Sequence, residues 1–215
     1  MSTCITSIWS GKSTTASNII ILPDGCRDLI IKIKDGNAPD WYVSPLFDHS
    51  KNIQIEENTS TLGFRLKPGT CIVEDELIAS ITDNQLDISE LENTLNEFTH
   101  LNTSIEEALG CLASDVTSIG QAVIRLGVSS RTLQRLVLKE TERSPSYWFQ
   151  LARARKSARS LTQILPLVEV ADRYGFSDQS HMCREFKRWF HTSPSEIIKA
   201  SGISDQLAAT GYGFD

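Results

Sequence analysis

Along the first third of the chain, apolar residues come in short β-branched runs. Asn18 to Leu22 and Asp28 to Ile33 are rich in isoleucine, and Pro23-Asp24-Gly25 between them is a turn signature, so the two runs read as connected strands. Asp35-Gly36 marks another turn, after which Trp41 to Val43, Asn52 to Ile55 and Thr61 to Leu66 read as further short strands. In the last of these, Leu62, Phe64 and Leu66 alternate with polar or small residues, the period of a half-buried strand. Pro68-Gly69 ends the run. From Asp87 the period lengthens: Ile88, Leu91, Leu95 and Phe98 recur at intervals of three and four, as on one face of a helix. That stripe serves either core packing or a dimer seam. Ser104 and Glu107 fit a capping box ahead of Leu109 and Leu112, which predicts a second short helix.

Ser118 to Leu126 reads as another short helix, with Ser118 and Gln121 as its capping pair. Leu126-Gly127-Val128-Ser129 then forms a tight turn: a glycine able to take the left-handed conformation, an apolar plug, and a serine to cap the next helix. On that helix, expected over Ser130 to Glu140, Leu133, Leu136 and Val137 form the buried stripe and leave Arg131, Gln134 and Arg135 near the exposed amino-terminal end. A short helix, a glycine turn and a second helix with polar side chains at its start describe a helix-turn-helix.

The pattern returns at Val170 to Ser177, followed by a helix holding Gln179, Ser180, His181 and Arg184. The turn glycines Gly127 and Gly175 lie 48 positions apart, and each copy ends in Ser-Pro (Ser144-Pro145, Ser193-Pro194), 17 and 18 residues beyond its glycine. One such match is a weak signal, but two in register make an internal repeat. Between them Pro145 to Leu161 reads as one helix opened by proline in its first turn. A rod of that length spans about 25 Å and suits two recognition helices set near the roughly 34 Å spacing of successive major grooves. It carries Arg153, Arg155, Lys156 and Arg159.

Charge sharpens the division. The net −6 of the 215 residues hides 7 Lys+Arg against 17 Asp+Glu in residues 1–114 and 14 against 8 in residues 115–200. A basic part joined to an acidic part suggests that one meets a polyanion and the other does not. The longest strictly apolar runs fall far short of the roughly 20 residues of a membrane span, and the amino end lacks a secretory signal, so the expected location is the cytoplasm. Five scattered cysteines with no CxxC pair, and four dispersed histidines, give no disulfide framework, no metal site and no cofactor site. Nor is there a phosphate-binding glycine loop, a GxSxG elbow or a HExxH pair.

Residues 118–200, and above all Tyr174-Gly175-Phe176-Ser177-Asp178-Gln179-Ser180-His181-Met182-Cys183-Arg184-Glu185-Phe186-Lys187-Arg188, resemble the DNA-binding domain of the AraC/XylS family of bacterial transcription regulators. The resemblance implies two units joined by a long helix, each placing its second helix in a major groove of double-stranded DNA. It implies base contacts from Arg131, Gln134 and Arg135 in the first unit and from Gln179, Ser180, His181 and Arg184 in the second. Arginine pairs bidentately with guanine and glutamine with adenine, so the residue chemistry agrees. Arg125, Lys139, Lys187 and Arg188 are placed for phosphates. One departure is visible: Val123 stands where the family usually has a small alanine, and its counterpart in the second unit is Ala171.

Two further stretches, Leu22-Pro23-Asp24-Gly25-Cys26-Arg27-Asp28-Leu29 and Gly63-Phe64-Arg65-Leu66-Lys67-Pro68-Gly69, are similar to the amino domains of one branch of these regulators. That resemblance implies a domain that binds a small effector or serves homodimerisation, and contact with the transcription machinery if the protein is an activator. The β portion is shorter than the family's usual barrel, and no convergent polar constellation marks a pocket. A surface for dimerisation or a partner protein, with no small ligand, therefore stays open beside the effector reading. A related two-unit domain is fused in an alkyl-accepting repair protein to a cysteine within Pro-Cys-His-Arg, a sequence this chain lacks, so no enzyme is expected. Cys26 and Cys71 read as inert core cysteines. The expected fold is α+β. A small β-rich amino domain (1–83) and a helical connection (84–114) precede an all-α domain (115–202) with two helix-turn-helix units joined by a long helix, and a mobile tail (203–215) follows.

Overall fold

The computed structural model describes residues 4–82, 88–161, 166–199 and 203–213. The expected boundary at 83/84, the helix start at Asp87 and the limit at Gly202 lie outside the described residues. Strands β1 (Ile5–Ser13), β2 (Ser17–Ile21), β3 (Asp28–Lys34), β4 (Asp40–Val43), β5 (Lys51–Ile55), β6 (Thr59–Leu66) and β7 (Cys71–Ile72) precede helices α1 (Glu74–Thr82) and α2 (Ile88–Phe98). A two-residue strand β8 (Thr99–His100) and helix α3 (Thr103–Ala113) follow. Then come α4 (Ile119–Leu126), α5 (Ser130–Thr141), α6 (Pro145–Ser160), α7 (Leu167–Arg173), α8 (Gln179–Phe190), α9 (Pro194–Lys199) and α10 (Ile203–Ala208). The expected α+β class is observed.

β1, β6, β3 and β4 form an antiparallel sheet in that order, while β2 and β5 form a separate two-stranded ribbon. The connected strands β2 and β3 thus lie in different sheets. In the larger sheet Leu29 stands opposite Phe64 and Ile31 opposite Leu62. Leu29, Ile31, Phe64 and Leu66 bury one face of it against Leu77 and Ile81 of α1 and Leu91 and Leu95 of α2. The α2 stripe is therefore used inside the chain, and only Ile88 at its start is exposed.

Among the elements not expected from sequence, β1 and α1 are the longest. β1 is a half-exposed strand of mixed polarity with a register shift between Ile5 and Ser7. α1 replaces the expected end of the β portion: three acids, Glu74, Asp75 and Glu76, fill its first turn, where the helix dipole favours negative charge.

α3 does not act as a connector. Ile105, Ala108, Leu109 and Leu112 enter a second core with α4 to α10, organised around α6, whose Trp148, Leu151, Ala154 and Ala158 are buried. Of the segment expected as a mobile tail, residues 203–213 are described. Ile203 to Ala208 is helical, and Leu207 and Tyr212 are buried in this second core because α3 and α6 leave an apolar slot that they fill.

Candidate nucleic-acid interface

Each helix-turn-helix unit is built by local chemistry. Ser118 caps α4 by accepting the Gln121 amide at 3.2 Å, and α4 stops at Gly127, which adopts φ +66°. Ser129 then caps α5 by accepting the Thr132 amide at 3.1 Å. In the second unit Gly175 adopts φ +70°, and Asp178 caps α8 by accepting the His181 amide at 2.6 Å. That bond holds the Asp178 carboxyl below the usual carboxylate range.

Aligning the units on these caps rather than on the glycines removes the one-residue discrepancy in the repeat. Cap to closing serine is 15 residues in both, Ser129 to Ser144 and Asp178 to Ser193, so the extra residue lies in the second turn. Both second helices also end on a left-handed non-glycine residue, Glu142 (φ 56°) and His191 (φ 55°). In this register Leu133 matches Met182 and Val137 matches Phe186, and all four are fully buried. Arg131 then matches Ser180, Gln134 matches Cys183 and Arg135 matches Arg184. Leu136, expected in the buried stripe, is only half-buried.

Arg131, Gln134 and Arg135 are exposed on α5, as are Gln179, Ser180 and Arg184 on α8. Among the described residues Arg131, Arg135 and Arg184 make no ion pair. His181 is partly engaged: its Nδ1 accepts the Ser177 amide at 3.2 Å and its ring stands edge-on to Phe176. Because Nδ1 is an acceptor, the proton of the neutral ring sits on Nε2. Cys183 was passed over in the sequence. It is half-exposed at the position of Gln134, a match visible only once the caps set the register.

The residues assigned to phosphates differ in how free they are. Lys187 is exposed, and Lys139 is 78 % exposed and 3.3 Å from Glu140. Arg188 donates to Gln150 Oε1 at 2.9 Å and lies over the Trp189 ring. Arg125 is held by Asp115 at 2.6 Å and by Ser114 Oγ at 2.9 Å, a pairing that raises its own pKa and lowers that of Asp115.

Three of the four basic residues that the sequence places on α6 are engaged by groups of the chain itself. Arg155 is fully buried and donates to the carbonyls of Tyr212 (3.1 Å) and Pro23 (3.2 Å). Lys156 donates to the carbonyls of Ala113 and Ser114 at the end of α3. Arg153 donates to the Gly175 carbonyl at 3.3 Å and stacks on Phe176 at 4.6 Å, tying α6 to the second turn. At its other end Trp148 Nε1 donates to Thr141 Oγ1 of α5 at 2.8 Å. Arg153 and Trp148 thus fix the two units to one rod, while Arg155 and Lys156 fix that rod to the rest of the chain.

The amino portion holds a cavity of about 650 Å³ lined by residues of β1 to β6. Ile19, Ile21, Ile53 and Ile55 from the ribbon face Trp9, Ile30 and Tyr42 from the sheet. Asp24, Asp28 and Arg65 also line it: Arg65 bonds Asp28 at 3.0 Å and Asp24 at 3.0 Å, and Trp9 Nε1 donates to Asp28 at 3.2 Å. The two amino-terminal stretches singled out in the sequence therefore meet through this cluster, a convergent polar group that no local pattern announces. Cys26 lies beside it, buried, with desolvation pushing its thiol far above the ordinary range, whereas Cys71, expected in the core, is exposed. Among the described residues no group of three or more His, Cys, Asp or Glu would hold a metal, and no helix is long and apolar enough to cross a membrane.

The helix-turn-helix domain family matches residues 123–200. The HTH-type transcriptional regulator RipA of Corynebacterium glutamicum is 34 % identical over 92 residues, which make up 43 % of this chain and 28 % of that protein. The multiple antibiotic resistance protein MarA of Salmonella typhimurium is 34 % identical over 92 residues, 41 % of this chain and 72 % of that protein. The chain thus spans under a third of one relative and most of the other. The solved structure of ToxT from Vibrio cholerae covers 91 % of this chain and 98 % of its own, at 14 % identity and a TM-score of 0.48.

Proposed function

Because the chain belongs to the AraC/XylS family of helix-turn-helix transcription regulators, we propose that it acts in the cytoplasm as a sequence-specific regulator, setting α5 and α8 in successive major grooves of duplex DNA. The observation that carries this reading is the recurrence, in one register, of a capped helix with a buried apolar stripe and unpaired arginines on its open face. Arg131, Gln134 and Arg135 read one half-site. Gln179, Ser180, His181 through Nε2, and Arg184 read the other, with Cys183 beside them. Arg125, Lys139, Lys187 and Arg188 take phosphates, Arg125 after leaving Asp115. The protein acts by binding rather than by catalysis.

The amino portion supplies regulation. The cavity of about 650 Å³ supports a small effector over a purely dimerising role, since ligand pockets typically run to roughly 300–1,000 Å³ with apolar walls and a few convergent polar groups. Selection of the purified protein on random duplex DNA tests the DNA-binding reading. The expected product is a motif of two boxes about ten base pairs apart. Salt-sensitive binding without any motif would reduce the basic half to a DNA-coating surface.

A further inference from the structure

The segment 203–213 makes contacts on both of its sides. Toward the cavity, the Gln206 side chain takes the place of a neighbouring strand. Its Oε1 accepts the Leu22 amide at 3.1 Å, and its Nε2 donates to the Ile20 carbonyl at 2.6 Å. An amide group two residues on from a carbonyl is the pair a partner strand would satisfy. The other edge of β2 is already paired with β5. Arg65, in the polar cluster of the cavity, donates to the Thr210 carbonyl at 3.1 Å, and the Tyr212 amide donates to the Asp24 carbonyl at 2.8 Å. Toward the DNA-binding core, Arg155 of α6 donates to the Tyr212 carbonyl at 3.1 Å. The Tyr212 ring packs edge-on to Trp148 at 4.8 Å, and its hydroxyl donates to the Leu109 carbonyl at 3.0 Å. The fit is close at Gly211: a Cβ there would lie 2.7 Å from the Arg155 guanidinium and 3.2 Å from the Asp24 carbonyl.

We propose that residues 203–213 are a latch that couples β2 and the cavity beneath it to α6, and hence to the mutual setting of α5 and α8. The latch rests on the reading of those two helices as DNA-binding. β2 is suited to be the moving part, because a two-stranded ribbon alone is marginally stable and both of its faces stay open to solvent: Ile19, which lines the cavity, is 39 % exposed, and Ile20, on the opposite face, is 44 % exposed. Filling the cavity shifts β2, the shift pulls on Gln206 and the Tyr212 backbone, and α6 follows through Arg155. Coupling of this kind is reciprocal, so DNA bound at α5 and α8 must also change β2.

That reciprocity permits a test without knowledge of any effector. Hydrogen exchange at residues 17–22 is measured in the full chain, free and saturated with a duplex carrying the selected motif, for the wild type, Gln206→Ala and Gly211→Val. The latch requires DNA to change exchange in β2 by about fivefold or more in the wild type, the lower end of typical coupling. In variants that still bind the duplex, the change should fall below about twofold. Gln206 is half-exposed and outside the core, so Gln206→Ala decides the matter if Gly211→Val fails to fold. Exchange in β2 that ignores DNA in the wild type, or an undiminished response in Gln206→Ala, overturns the latch while leaving the regulator reading intact. Absence of sequence-selective binding overturns both.

Discussion

Asp115 and Arg125 illustrate how a charge on the DNA-binding half is held back by a neighbour. Their 2.6 Å contact is solvent-exposed on both sides, so it adds little to stability, yet it occupies the arginine we assign to phosphate. Asp115→Asn should release Arg125. Affinity for all duplexes should rise by a similar small factor, with the salt dependence steeper by about one charge. Filter binding on specific and unrelated duplexes across salt checks this, and a gain confined to one sequence would place Arg125 at a base. Arg155 is the opposite case: fully buried, it serves the fold. Arg155→Ala should cost about 3–5 kcal/mol in urea unfolding, the scale for truncating a buried charged partner, where a surface arginine would cost well under one. Sequence composition could not separate these two arginines, because burial of Arg155 depends on Pro23 and Tyr212, each more than fifty residues away.

At the scale of elements, caps and turns carry most of what was legible. Ser118, Ser129, Gly127 and Gly175 do in the structure what their residue types predict, because each acts on neighbours within four positions. Gly127→Val or Gly175→Val should therefore destabilise its unit by about 1–3 kcal/mol, the cost of a strained backbone, since a β-branched residue resists positive φ. Calorimetry showing no loss in either variant would contradict the assigned turns.

The second unit closes on a capping box. Ser193 donates its amide to Glu196 at 2.8 Å, and Glu196 donates its own amide to Ser193 Oγ at 3.3 Å. Bonds from the Ser193 amide, the Ser193 hydroxyl and the Thr192 hydroxyl together lower the Glu196 carboxyl from 4.5 to about 2. A depressed carboxylate stabilises above its ordinary pKa and loses that contribution as pH falls through the folded value. The contribution of α9 to stability should thus be full above about pH 5 and fade toward pH 2, and Glu196→Gln should flatten the fall seen in thermal melts. Less legible were β1, whose mixed polarity carries no clean period, and the register of the repeat, which the extra turn residue before Asp178 concealed. α1 did leave a signal, three acids followed by Leu77 and Ile81 one helical turn apart.

Across the whole molecule, the amino portion is clamped to both units rather than tethered. Arg143 pairs with Asp48 through two bonds (2.9 and 3.2 Å), the Ser50 amide donates to the Trp189 carbonyl at 2.9 Å, and His49 stacks on His191 at 4.6 Å. The sequence showed two chemically unlike halves but not their contact, nor the cavity, because both arise from residues far apart in the chain. The two copies of one capped helix, by contrast, were visible in the sequence, and the central claim rests on them: α5 and α8 read separate half-sites.

The most direct measurement is the motif selected from random duplex DNA by Arg131→Ala and by Arg184→Ala beside the wild type. Two recognition helices predict that each change blurs a different one of two boxes about one helical turn apart, with roughly 1–3 kcal/mol of discrimination lost at the affected base and the other box intact. Equal weakening on every sequence, with both boxes unchanged in content, would contradict it.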